Sequence, residues 1–186
     1  MDLTAVLRVA IALVLAVSAA GKAVDPWVLR ARLADALGRR WAGPGSVGVI
    51  GTELVVGAAV LWAPGPATAA AAAALFLAFA WVLVGQLASG DAGDCGCLGI
   101  LGDAPASWGL VARNVVLGGA GAWAAWARAA ARLALPDIVV GVVLAGCTLL
   151  VSFVAVWVDF YRVPVRGPGS ALVRSIPVRL ADRLGR

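Results

Sequence analysis

Five long apolar runs limit what this chain can become more than any other feature. They lie at residues 3–20, 46–62, 67–88, 107–128 and 136–157, separated by short stretches rich in Gly, Pro, Asp and Arg. At about 1.5 Å per helical residue, runs of this length approach the ~30 Å hydrocarbon core of a bilayer. The composition agrees: 62% of residues are apolar and 13% charged, whereas a soluble domain carries about a quarter charged. The expected fold is an all-α integral membrane protein.

The punctuation between the runs suggests the element boundaries. The first run is broken only by Arg8, and Val17-Ser18-Ala19 resembles a signal-cleavage site. However, the N-terminal segment carries Asp2 and no early Lys or Arg, and the run is long enough to span, so it reads as a first transmembrane helix. Asp25-Pro26 has the form of a helix start. Residues 26–37 mix Trp27, Val28, Leu29, Leu33 and Leu37 with Arg30, Arg32 and Asp35, the make-up of an amphipathic helix lying in the headgroup region. Gly38 with Arg39-Arg40 should end it, and Gly43-Pro44-Gly45 should turn the chain into the second span.

Ala63-Pro64-Gly65-Pro66 reads as a tight hairpin turn before an alanine-rich third helix suited to close packing. The fourth carries Arg113-Asn114 in its second turn, then Gly118, Gly119, Gly121, Trp123 and Trp126. Pro136-Asp137 opens a fifth. The predicted organisation is a four-helix transmembrane bundle at 1–132, a fifth C-terminal transmembrane helix within 133–160 and a basic juxtamembrane tail at 161–186, with no second domain. From Tyr161 onward the tail holds six Arg and one Asp, so its charge of 6 − 1 = +5 equals that of the whole chain. Such charge suits anionic lipid headgroups and gives no reason to expect a nucleic-acid partner.

Polar residues concentrate at one level. If five spans alternate sides, Lys22, the 26–37 helix, the loop at 89–106 and the start of the fourth span share a face. Glu53, Gln86, Arg113 and Asn114 then lie beneath it. An ionisable side chain in hydrocarbon is costly and usually has a partner, so Glu53 should pair with Arg113 or Lys22. Such a pair could also do no more than fix helix register.

Above these groups lies Cys95-Gly96-Cys97-Leu98-Gly99. Gly96 allows a sharp bend that brings the sulfurs together. A disulfide across so small a ring departs from relaxed geometry and is therefore readily reduced. Lys22 or Arg113 nearby would favour the attacking thiolate, while Asp91, Asp94 and Asp103 would oppose it. The residues thus point to Cys95 and Cys97 as a redox pair. The alternative is a non-enzymatic subunit that binds a partner protein or a soft metal such as Cu(I) through the same loop. The chain has no His and only Met1, so a closed metal site would need a dimer to supply two Cys pairs. Cys147, between Gly146 and Thr148 in the fifth run, reads as a small packing residue.

Gly21-Lys22, Glu53-Leu54, the Cys95–Gly99 loop and Arg113-Asn114-Val115-Val116-Leu117, in that order and in those helices, resemble the MauE/DoxX-like family of methylamine-utilisation membrane proteins. Leu98 stands where family members often carry Phe. The resemblance spans about residues 1–130. It implies a four-helix bundle in a bacterial cell (inner) membrane, associated with thiol-disulfide chemistry. A thioredoxin-like partner would act with it in forming or maintaining disulfides in exported proteins. The layout is also similar to quinone-linked disulfide-forming membrane enzymes, which makes a quinone the cofactor suggested by analogy and the 26–37 helix a lid over the thiols. Two expectations then oppose each other. Eleven cations fall on the cysteine face and three on the other, which by the positive-inside rule puts that face in the cytoplasm; an exported-disulfide role requires it outside. We read the cysteines as facing outside, because a surface helix and a tail can hold Arg for reasons other than topology.

Overall fold

The computed structural model describes residues 2–89, 106–127 and 133–162, and all the elements described are helices: α1 (Leu3–Val24), α2 (Trp27–Leu37), α3 (Arg39–Trp62), α4 (Pro66–Ala88), α5 (Trp108–Trp126) and α6 (Leu135–Arg162). Side-chain caps fix several starts. The Asp2 carboxylate accepts the Thr4 N–H at 2.9 Å, and the Ser107 hydroxyl accepts the Leu110 N–H at 3.3 Å. The hairpin turn between α3 and α4 is tied by the Thr68 hydroxyl, which accepts the Gly65 N–H at 3.2 Å. Each interaction satisfies a donor that the helix itself leaves over.

Among the described residues, α1, α3, α4 and α6 are long and apolar enough to cross a membrane. The fourth expected span, α5, falls outside that set. It is a 19-residue helix, and Arg113, Asn114 and its glycines dilute its hydropathy.

The expected turn at Gly43-Pro44-Gly45 is absent. Instead α3 runs unbroken from Arg39 to Trp62 with Pro44 inside it. The Trp41 N–H bonds the Gly38 carbonyl at 3.0 Å, so the helix is already under way before the proline. Pro44 then removes only the bond that would reach the Arg40 carbonyl, in a charged stretch where polar surroundings can satisfy it. The break falls at Gly38, whose φ of +86° is a conformation other residues rarely adopt. As a result, α2 folds back on the first turns of α3, with Leu33 and Leu37 against Gly45.

α1 is the central helix and packs on α3, α5 and α6, while α5 packs along α4. Contacts set the directions. Arg8 and Lys22 of α1 reach Val60 and Glu53 of α3, respectively, so these helices are antiparallel. Gly121 of α5 abuts Ala69 and Ala73 near the start of α4, and Leu110 clusters with Ala80 and Leu83 near its end, so these are antiparallel too. Asp137 of α6 accepts the Asp2 N–H at 2.9 Å, and Gly141 packs on Val6 and Val9. α6 therefore runs parallel to α1 and ends on the Lys22 face. A core of Leu15, Phe76, Leu117 and Val60 joins α1, α3, α4 and α5, with Ala145 from α6.

Gly141 is the point of closest approach between α1 and α6. A Cβ there would lie 2.6 Å from the Val9 Cβ and 2.9 Å from the Val6 carbonyl oxygen, distances that require one helix to move. Gly141→Leu is therefore expected to separate α6 from α1 and to destabilise the protein by about 1–3 kcal/mol or more. Thermal unfolding in detergent, with limited proteolysis of the 127–135 connection, measures both effects.

Candidate functional site

The interior polar groups form two sets at opposite ends of the bundle. At the far end, Arg8 in the second turn of α1 donates from Nε to the Val60 carbonyl at 3.0 Å and from Nη2 to the Leu61 carbonyl at 2.7 Å. These are among the last carbonyls of α3, the negative end of its dipole, so a guanidinium caps them well. Buried polarity is thus not confined to the cysteine face: Arg8 and Asp137 are both buried at the other end. Their contacts are with helix termini, which marks them as structural.

The second set lies at the Lys22 face. Lys22, in the last turn of α1, donates to the Glu53 carboxylate at 2.6 Å and to the Ser18 hydroxyl at 2.6 Å. Ser18 in turn donates to the same Glu53 oxygen, Oε1, at 2.9 Å. Glu53 is fully buried and Lys22 almost so. The ammonium also stands over the Phe79 ring of α4, 5.2 Å from its centroid. α1, α3 and α4 therefore meet around one ion pair, which is the Lys22 choice of the two partners open to Glu53. Glu53 lies 14 residues beyond Arg39, or about 21 Å along α3, while Lys22 is two residues from the end of α1. The long first part of α3, which the expected turn would have removed, is what carries α2 above the pair.

Asn114 is also buried; its amide donates to the Leu110 carbonyl at 2.9 Å. It sits about one turn nearer the Lys22 face than Leu117, a member of the central core. Glu53 Oε2, Gln86 Oε1 and Asn114 Oδ1 are buried acceptors without a partner among the described residues. Arg113 is half-buried in the wall of a cleft between α5 and α6, on the α6 side of its helix. Cys147 lines the same cleft and is exposed, so the expectation that it packs in the interior is corrected. α6 touches α1 through Gly141 and the buried Ala145, and a residue two positions on from Ala145 points away from that contact.

Cys95 and Cys97 lie outside the described residues. The chain that carries them joins the end of α4 to the start of α5, both on the Lys22 face. Ser18 was missed in the sequence; its spacing of four from Lys22 on one face of α1 is the signal that could have found it.

Comparison with known proteins gives one family. The family model for Methylamine utilisation protein MauE matches residues 1–127, which takes in α1 to α5 and leaves α6 outside. No curated protein and no solved structure matches the chain.

Proposed function

This chain belongs to the MauE family, and from that premise we propose that it is a bacterial inner-membrane thiol-disulfide redox protein. In this reading Cys95 and Cys97 exchange electrons with a thioredoxin-like partner during disulfide formation in exported proteins. The observation that carries the proposal is the Lys22–Glu53–Ser18 cluster, buried at the face where the Cys95–Cys97 loop joins α4 to α5. A buried ion pair is costly to hold, and one at such a place is a candidate for tuning chemistry.

α5 is taken to cross the membrane with its neighbours. It lies along the whole of α4, which is long and apolar enough to cross. Exposed Trp108 and Trp126 stand at its two ends, about 27 Å apart along the helix. Exposed tryptophans also mark the two levels on other helices: Trp27 and Trp41 on the Lys22 side, Trp62 on the other. Two such belts are the anchors expected at bilayer interfaces, which supports reading α2 as a helix at the headgroup level.

The chemistry runs as ordinary exchange. A thiolate of the reduced partner attacks one sulfur of the Cys95–Cys97 disulfide, forming a mixed disulfide and releasing the other cysteine as a thiolate. The partner's second thiol then displaces the first cysteine. The partner leaves oxidised, and Cys95 and Cys97 have gained two electrons and two protons. Lys22 favours the released thiolate, and Glu53 Oε2 offers buried lone pairs to a proton in transit. Return to the disulfide needs a two-electron acceptor, for which the analogy suggests a quinone.

A redox titration tests the pair. In a Cys147→Ser background, equilibrated in graded glutathione buffers and trapped with a thiol-reactive polymer, Cys95 and Cys97 should lose both free thiols together in a single two-electron transition. Two thiols that remain free across the range, or that titrate independently, would contradict the proposal.

A further inference from the structure

The cleft between α5 and α6 has a volume of about 450 Å³, within the roughly 300–1,000 Å³ common for ligand sites. One wall is Gly109, Ala112 and Arg113; the other is Cys147, Val151 and Ser152. It exists because α6 is drawn onto α1 at Gly141 while α5 presents small residues towards it. The hydroxyl of Ser152 donates to the Thr148 carbonyl at 2.6 Å, so it offers the cleft no donor. The Thr148 hydroxyl, also in the lining, donates to the Leu144 carbonyl at 2.8 Å; apart from Arg113, these two hydroxyls and the Cys147 thiol, the surface is apolar.

We propose that this cleft is a binding site for one acyl chain of an anionic phospholipid from the leaflet of the Lys22 face. The inference rests on α5 and α6 crossing the bilayer and not on the chemistry of the thiols. A largely apolar gap at membrane depth holds water poorly, since a water needs several polar partners and both hydroxyl donors in these walls are spent on carbonyls of their own helix, whereas a lipid chain meets the apolar surface without loss. The cleft runs from Gly109 to Leu117, eight residues or about 12 Å, close to the ~15 Å depth of one leaflet. Among the described residues, Arg113 supplies the only charge in the lining. Its long side chain can extend from the wall towards the headgroup level, where its planar guanidinium suits a phosphate. A neutral or zwitterionic headgroup gains less from that cation. α6 lies outside the family match, so the site is built partly from a helix added to the family core.

Native mass spectrometry of the full-length protein, released from detergent containing equimolar dioleoyl phosphatidylglycerol and phosphatidylcholine, tests the site. Wild type should retain phosphatidylglycerol about fivefold over phosphatidylcholine, the factor one basic side chain near a headgroup supports. Ala112→Leu, at an exposed position of α5, fills the cleft and should abolish the retained lipid. Arg113→Gln should keep a lipid but bring the ratio towards one. Equal retention of both lipids by wild type, or undiminished phosphatidylglycerol on Ala112→Leu, would overturn the proposal.

Discussion

Replacing Lys22 with methionine is expected to cost roughly 3–5 kcal/mol of stability, the largest loss from any single substitution among the described residues. The change removes the ammonium that holds Glu53 Oε1 at 2.6 Å and leaves a carboxylate at the fully buried position 53 supported, among the described residues, only by the Ser18 hydroxyl. Its other oxygen has no partner among the described residues to share that burden. The double variant K22M/E53L should recover to within about 1 kcal/mol of wild type or exceed it, because two apolar side chains of similar volume remove the desolvation penalty together. Unfolding in detergent measures all three proteins. The double variant also separates stapling from tuning. If the pair only fixes register, the recovered protein keeps wild-type thiol exchange; if it tunes the loop, exchange falls although the fold is restored.

The second large effect concerns the cysteines themselves. Cys95→Ser and Cys97→Ser should each abolish two-electron exchange, since a single thiol can form a mixed disulfide but cannot resolve it. Cys147→Ser should leave exchange unchanged: Cys147 is exposed in the α5–α6 cleft, a little over three helical turns along α6 from its Leu135 end, and is not one of the loop pair. The contrast among three Cys→Ser variants of one protein makes the measurement internally controlled.

Much of the architecture follows from the apolar runs, and its exceptions have identifiable causes. The caps at Ser107 and Asp2 and the turn at residues 63–65 rest on local chemistry, which is readable in any window of a few residues. Pro44 misled because Gly-Pro-Gly is a strong turn signal, yet a proline six residues into a helix forfeits a single bond. Whether the chain bends there depends on α2 packing against Gly45, a contact between separate elements. Cys147 was misplaced for a similar reason. Which face of α6 is buried is set by Gly141 meeting Val9 across the bundle, and its sign in the sequence is the small-residue spacing Gly141–Ala145 rather than any apolar stripe. In the site, Glu53 was legible as a lone carboxylate in an apolar run; its choice of Lys22 over Arg113 was not, because it depends on which side of α5 turns towards α6.

The direction of α6 also bears on orientation. Because α6 is parallel to α1, its C-terminal end at Arg162 lies on the Lys22 face. Lys22, Arg30, Arg32, Arg39 and Arg40 belong to the same face, so among the described residues the positive-inside rule and the exported-disulfide role stand opposed. The identity of the protein that exchanges with the loop resolves this, since thioredoxin-like proteins of the two compartments are distinct.

Trapping that partner is the most direct test. Cys95→Ser and Cys97→Ser, each expressed in intact cells in a Cys147→Ser background and quenched with acid, should yield a mixed disulfide with an exported thioredoxin-like protein from whichever variant keeps the attacked sulfur. The adduct should vanish on reduction and be absent from the double variant. If neither single variant traps a thioredoxin-like protein and the double variant retains activity, the thiol-disulfide account is contradicted.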